Sequence, residues 1–479
     1  MLRRPRLLLD SAPTLAIGWL LLLGLQACEP GSPTDPVEGE LLSARGTGGG
    51  KTTGITISAL DPDTVPADTA LTIRVLGSGF TAGSQVSWNL AGTPTTKVAT
   101  TGPVAFISSK ELRVPVTIQT DAPLTSYDVV VTAVGGKKGI GVEMLEVVAK
   151  FEPLPEPEWA VNSRAEAINE DGVVVGSASD GYGLRALKWT PDGQGWVVEE
   201  LGSGRAIAVN DDGYVSIWDF DSVAGAMRAR IVAPSGTEVD FGFVRVDAIG
   251  SSGNLAGGST SGAPSLPLAW RRLSATAWDE PVVLAGTAGH PNAQVMRMSD
   301  EDVIAGFVYA GTWSSENRRP VTWIFDGDGW SDPVLVDSEV GGVARAVNSN
   351  GAIAGYILPC ASGCPSRPTY WPAAGAARQL LADPYYGRLQ GGAVSAVVVD
   401  MNNAEQIAGT AVVEIGRSRK VLVDHAAVWL SPSADEYLDL GLARANGYSR
   451  ASALNDAGVV VGYYQDGGSR NHAVVWRLP

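Results

Sequence analysis

The sequence predicts an all-β chain, an N-terminal β-sandwich followed by a seven-bladed β-propeller, and three observations carry that reading. Glycine (58) and proline (29) are abundant, Val/Ile/Thr-rich runs recur, and no helical periodicity is sustained, which favours short strands joined by tight turns. Residues 54–150 alternate apolar and polar positions with a period of two, as half-buried strands do. From 158 to 479 one frame of Asn, Gly and Trp recurs seven times, the mark of a repeat architecture. At 479 residues the chain exceeds what one core organises, so several domains are expected.

Residues 1–27 read as a lipoprotein signal peptide. Arg3, Arg4 and Arg6 precede the apolar stretch "TLAIGWLLLLGLQA", which is too short to span a bilayer and ends at a small residue before Cys28. "LQAC" resembles the lipobox of bacterial lipoproteins, and that resemblance implies diacylglycerol on Cys28 and cleavage just before it. The membrane is then a partner through the lipid on Cys28, and the location is the bacterial cell envelope, at the outer membrane or cell surface. Residues 28–53 are too poor in apolar side chains and too rich in Gly, Pro and Ser to bury a core, and form a flexible tether. Within it "GTGGGKT" lacks the phosphate-loop spacing, because Arg45 stands where a glycine is required and no strand precedes it.

In residues 54–150, "LTIRVLGSGF" and "SYDVVVTAV" alternate, and Leu112, Val114, Val116 and Ile118 share one face. The run "ITISALDPDTVPADTALTIRVLGSGFTAGSQVSW" resembles the IPT/TIG immunoglobulin-like domain, with Pro62, Gly77-Ser78-Gly79-Phe80, Gly83 and Trp88 at the family's positions. The resemblance implies a spacer or binding module without catalysis. Trp88 is expected in the sandwich core, since large aromatics dominate such cores.

The repeats align on Gly176, Ile217, Gly257, Gly306, Gly355, Gly409 and Gly462. Seven residues before each stands Asn169, Asn210, Gly250, Ser299, Asn348, Asn402 or Asn455. Four before stands Gly172, Gly213, Gly253, Asp302, Gly351, Glu405 or Gly458. An apolar segment then ends at Trp189, Trp270, Trp323, Trp371, Trp429 or Trp476, with Ile231 in the second unit. Asn/Asp/Gly clusters between apolar runs signal hairpins, because Asn bonds its own backbone and Gly accepts positive φ. Spacings of 40 to 54 residues suit one four-stranded blade. The last copy, ending "AVVWRLP", is one strand short, and the segment around Trp159 is expected to supply that strand and latch the ring. The frame resembles the HAF repeats of bacterial extracellular proteins, a resemblance that says little about activity.

Chemistry is sparsely signalled. His290, His425 and His472 have no ligand-spaced companions, no Gly-x-Ser-x-Gly elbow occurs, and no dense acidic calcium loop is written; neither a metal, a cofactor nor a catalytic residue is assigned. The carboxylates of "NEDG", "NDDG" and "FDGDGW" are read as turn-formers acting on their own backbone. Cys360 and Cys364 are expected to pair as a local disulfide in an oxidising exterior. Lys+Arg number 35 against Asp+Glu 51, a formal charge of −16 with no basic block in the body of the chain, so nucleic acid is not an expected partner. The expectation is a monomeric surface protein presenting a propeller face to a glycan or surface-protein ligand, with ligand residues unassigned. The alternative is a polysaccharide-active hydrolase or lyase with its site in the funnel.

Overall fold

The computed structural model describes residues 54–478, apart from 260–265, 312–316, 359–364, 389–394, 416–420 and 442–446. Cys28, Cys360 and Cys364, with the expected signal peptide and tether, lie outside the described residues. Thr53–Pro479 is one compact unit. It is all-β: no α-helix occurs among the described residues, and no helix there is long and apolar enough to cross a membrane.

The first part of the unit holds two five-stranded sheets. One contains Thr56–Asp61, Thr69–Ser78 and Glu111–Ile118; the other contains Gln85–Leu90, Ser126–Thr132 and Lys138–Val148. The alternating positions read from sequence bury Leu112, Val114, Val116 and Ile118 against Trp88, Tyr127 and Val129 in one shared core. Trp88 is fully enclosed, with its indole N–H donating to Thr100 Oγ1 at 3.2 Å, so it is a core residue.

Seven four-stranded antiparallel sheets follow. Their first strands are Asn162–Ile168, Arg205–Val209, Val244–Ile249, Asn292–Met298, Gly341–Val347, Ala396–Met401 and Ser449–Leu454. Each successive pair of sheets shares its own apolar cluster, as where Ala167 and Val175 of the first meet Ala206 and Ile217 of the second. The seventh sheet in turn packs on the first, with Ala453, Val461 and Val475 against Ala165, Leu187 and Trp189. The six frame tryptophans are all buried in these clusters.

The strand that completes the seventh sheet is Lys150–Pro153, antiparallel to Asn471–Arg477 with Phe151 opposite Trp476. The expectation for Trp159 is thereby corrected. That residue lies in a turn just downstream, packed on the cluster between the seventh and first sheets with the Arg185 guanidinium 4.7 Å from its ring centroid. The short "KFEP" has a single large apolar residue and a proline, which an edge strand tolerates, so it carries little signal. The second unit, despite Ile217 and Ile231, forms the same four strands as the others.

The frame residues have definite jobs. After each first strand a tight turn brings a residue into the left-handed region, with φ between 55° and 84° at Gly172, Gly213, Gly253, Asp302, Gly351, Glu405 and Gly458. In the first unit Gly172 N–H donates to Asn169 O at 3.1 Å and Asn169 N–H to Val173 O at 3.1 Å, a three-residue hairpin loop closed by a left-handed residue. The Asn side chain works in two directions. Asn455 Oδ1 accepts from Val459 N–H at 3.0 Å within its own turn, while Nδ2 donates 3.1 Å to Asn169 O in the first sheet. Asn169 does the same toward Asn210 O, Asn210 toward Gly250 O, Asn348 toward Asn402 O and Asn402 toward Asn455 O.

All seven first strands carry a β-bulge at the same place, skipping Glu166, Ile207, Asp247, Met296, Arg345, Val399 and Ser452 in the pairing. The backbone just before the bulge explains the frame glycine. A β-carbon on Gly355 would lie 2.1 Å from Val343 O, and one on Gly462 would lie 2.0 Å from Arg450 O.

Two stability predictions follow from these contacts. Gly355→Ala is expected to cost about 1–3 kcal/mol in denaturant unfolding, as overpacking against backbone does. Asn455→Ala removes both amide bonds, taking the side-chain acceptor from Val459 N–H and leaving the Asn169 carbonyl with only its own turn bond from Gly172, for a similar loss of about 1–3 kcal/mol. A neutral result for either would remove the role given to that residue.

Candidate functional site

The bulges decide which side chains face the space enclosed by the seven first strands, because an extra residue re-aims its neighbours. The turns above them form one end of that space and the strand starts the other. The two ends have opposite charge.

At the turn end is a cavity of about 100 Å³, lined from all seven sheets and including Glu170, Asp211, Asp247, Asp300, Asp400 and Asp456, with Arg297 as the one cation among the described residues. The turn carboxylates link neighbouring sheets. Asp211 accepts from Glu170 N–H at 2.8 Å, Asp456 from Asn403 N–H at 2.7 Å, and Glu170 from Asp456 N–H at 3.0 Å. The expectation that these carboxylates act on their own turns is corrected here: Glu170, Asp211 and Asp456 accept from the backbone of a neighbouring sheet's turn, while the own-turn bond is made by the Asn side chain. Desolvation inside the aperture, reinforced by Asp456, Asp211 and Asp300, pushes the Glu170 carboxyl up to about 7, although the residue as a whole is exposed. Burial, with Asp211 and Asp456 beside it, raises Asp300 to about 6, and burial raises Asp247 to about 6 against the opposing pull of Arg245.

At the other end is a cavity of about 640 Å³, whose lining among the described residues includes Arg164, Arg205, Arg297, Arg345 and Arg450 against Glu166 and Asp424. Five cations against two anions give this lining a formal charge of +3, in a chain whose total is −16. Three of the arginines are engaged by carboxylates. Arg205 Nε donates to Glu166 at 2.9 Å, Arg450 lies 3.3 Å from Asp424, and Arg297 lies 3.1 Å from Asp400. Arg164 and Arg345 have no carboxylate partner among the described residues. Each guanidinium faces a tyrosine instead, Arg164 at 4.5 Å from the Tyr463 centroid and Arg345 at 5.9 Å from that of Tyr356. Arg345 Nε is buried with no hydrogen-bond partner, and burial, with Arg297 and Arg318 nearby, lowers its pKa.

Sequence reasoning missed this basic cluster because its members are dispersed over nearly 290 residues and form no block. A signal was present: aligned on the turn position, Arg164, Arg205, Arg245 and Arg450 each stand five residues before Asn169, Asn210, Gly250 and Asn455. Of the histidines, His425 Nδ1 pairs with Asp439 at 2.8 Å, His472 bridges Glu156 and Asp466, and the three lie in different sheets or connections without converging. No group of three or more metal-ligating side chains occurs among the described residues. In "FDGDGW", Asp326 accepts from Asp328 and Gly329 N–H within its turn, as the sequence implied.

No family model and no curated protein matches the chain. Among solved structures it is similar to an ulvan lyase from a new family of polysaccharide lyases, at 10% identity and a TM-score of 0.42, over 67% of this chain and 95% of that one. A protein of unknown function from Bacteroides thetaiotaomicron matches at 11% identity and a TM-score of 0.30, over 75% and 96%. The acylaminoacyl peptidase of Pyrococcus horikoshii matches at 8% identity and a TM-score of 0.37, over 87% and 59%.

The turn-end carboxylates generate a pH dependence. An acid whose proton is held more tightly in the folded chain stabilises the fold below its unfolded value of 4.5, and that contribution is lost as pH rises to about 7. Melting of Glu170→Gln beside the parent chain is expected to give matched stability near pH 4.5 and a variant advantage that grows up to about pH 7. A pH-independent difference would contradict the crowding described.

Proposed function

We propose that the chain is an exported binding protein of the bacterial cell envelope, lipid-anchored at Cys28, in which an IPT/TIG immunoglobulin-like spacer (54–150) carries a seven-bladed propeller of HAF-type repeats (158–479). The propeller offers its funnel to a glycan or surface-protein ligand. Closure of the seven sheets is supported by the apolar cluster between the seventh and the first and by the Asn455 to Asn169 bond. Lys150–Pro153 belongs with the blades as the outer strand of the last one. The spacer reading is supported by the two sheets that share a core around Trp88.

The observation that favours binding over glycosidic hydrolysis is the separation of space from acid chemistry. Glycosidic hydrolysis needs two carboxyl groups flanking the scissile bond, one of them a proton donor. Here the carboxyls with raised pKa crowd the smaller cavity, of about 100 Å³. The roomy cavity of about 640 Å³ contains two carboxylates, Glu166 and Asp424, and both are engaged by arginine.

Purified chain, solubilised in detergent, is expected to show saturable binding on an array of glycans and surface proteins and to leave every bound glycan intact in product analysis. Cleavage of an array member at a steady rate would replace this reading with the hydrolase or lyase alternative.

A further inference from the structure

Two guanidiniums of the wide mouth, Arg164 and Arg345, face tyrosines and have no carboxylate partner among the described residues. Resting on the binding function proposed above, we infer that this mouth takes a short anionic saccharide, whose carboxylate or sulfate group is fixed by Arg164 and Arg345.

Charge is the first argument. A chain with an excess of acid gathers five arginines from five different sheets around one cavity, and supplies only three of them with carboxylates. Guanidinium carries its charge at any accessible pH and presents a planar fork of donors that matches an oxyanion in two-point geometry. Arg345 Nε is a buried donor without an acceptor among the described residues, which costs stability and leaves this guanidinium incompletely satisfied. The carboxylates on Arg205, Arg297 and Arg450 hold those side chains in place, so they frame the mouth, while Arg164 and Arg345 remain to meet a ligand.

Size and surface chemistry narrow the class. A volume of about 640 Å³ falls within the range of small-ligand pockets, roughly 300–1,000 Å³, and is enclosed by strand starts rather than laid out as the broad flat patch a protein partner needs. Nucleobases would want a free aromatic face for stacking. The ring of the lining, Tyr463, already has Arg164 over it. What the wall does offer beside its cations is hydroxyls, from Thr410 and Ser452, with small aliphatic surface between them, a lining suited to the alternating hydroxyl and C–H faces of a sugar ring.

The test is calorimetric titration of the full detergent-solubilised chain with four probes: a galacturonate trisaccharide, a sulfated disaccharide, neutral maltotriose and inorganic sulfate. The expected result is saturable binding of one or both charged saccharides, weakening with added salt, and none of maltotriose. Arg164→Gln and Arg345→Gln should each weaken it by about tenfold to a hundredfold, the effect of losing a charged hydrogen bond. Arg345→Lys retains charge but not the fork, so it covers the case in which the Gln variant does not fold, and it too should weaken binding. Whether the charged group is carboxylate or sulfate is read from which saccharide binds. Maltotriose bound as well as the charged sugars, or charged-sugar affinity unchanged in all three variants, would overturn the anion assignment while leaving a binding protein. Inorganic sulfate bound as tightly as the saccharides would overturn the saccharide assignment. Cleavage of a probe would instead overturn the binding function on which the inference rests.

Discussion

The seven sheets depend on an amide side chain that bonds in two directions at the end of a first strand. A neutral amide has an acceptor and a donor on one short stem, so Asn can satisfy a turn N–H and a neighbour's carbonyl at once, which neither Asp nor Ser can do in the same way. These asparagines are almost wholly buried, with Asn455 and Asn348 at 2% and 3% exposure, so each bond replaces one that water cannot make. The two departures are informative. Ser299 keeps the turn bond, accepting from Val303 N–H at 3.2 Å. Gly250 has no side chain, and Asp302 of the next sheet stands in the vacated space, receiving Ser252 Oγ at 2.5 Å and Asn254 Nδ2 at 3.1 Å. A carboxylate thus joins the third and fourth sheets where the amide is missing.

The second recurring constraint runs from the bulge to the glycine. In six units the carbonyl two residues before the bulge approaches the second strand so closely that a β-carbon on the frame glycine would clash with it, while the second unit accommodates Ile217 at the same place. The bulged residue stands outside the ladder pairing, so its chemistry is less constrained than that of its neighbours, although Met296 and Val399 still pack on inter-sheet clusters and Glu166 pairs with Arg205. Glu166, Arg345 and Ser452 occupy equivalent bulge positions in three units with unlike chemistry. The backbone is therefore repeated while the lining is free to vary, which is how a sevenfold scaffold acquires a lopsided site.

That division also decides what the sequence could reveal. The turns were legible because left-handed φ and a two-way amide restrict residue choice at fixed offsets, so Asn, Gly and Trp recur in register. Trp88 and the alternating strand around Val114 were legible because burial imposes a period. Lys150–Pro153 was hidden because its partner, Asn471–Arg477, lies at the far end of the chain and an edge strand needs little of its own sequence. The arginines were hidden for the opposite reason. Nothing local requires them, they sit two, three or five residues before the turn in different units, and only the arrangement of seven strands makes them neighbours.

Opposite charge at the two ends shapes what the proposed site can hold. Arg297 lines both cavities and pairs with Asp400, so the transition from basic mouth to acidic aperture occurs at one ion pair. An oxyanion drawn to Arg164 and Arg345 meets Asp247, Asp300 and Glu170 if it moves deeper, and the repulsion makes the acidic end a floor. The whole chain's negative charge resists polyanions at a distance, but at physiological salt that field is screened within about 8 Å, whereas guanidiniums in contact with a ligand are not. Short-range attraction therefore outweighs the long-range charge only for an anionic group that enters the mouth. The arrangement favours a charged chain end or short saccharide over the undirected adsorption of a polyanion along the outer surface.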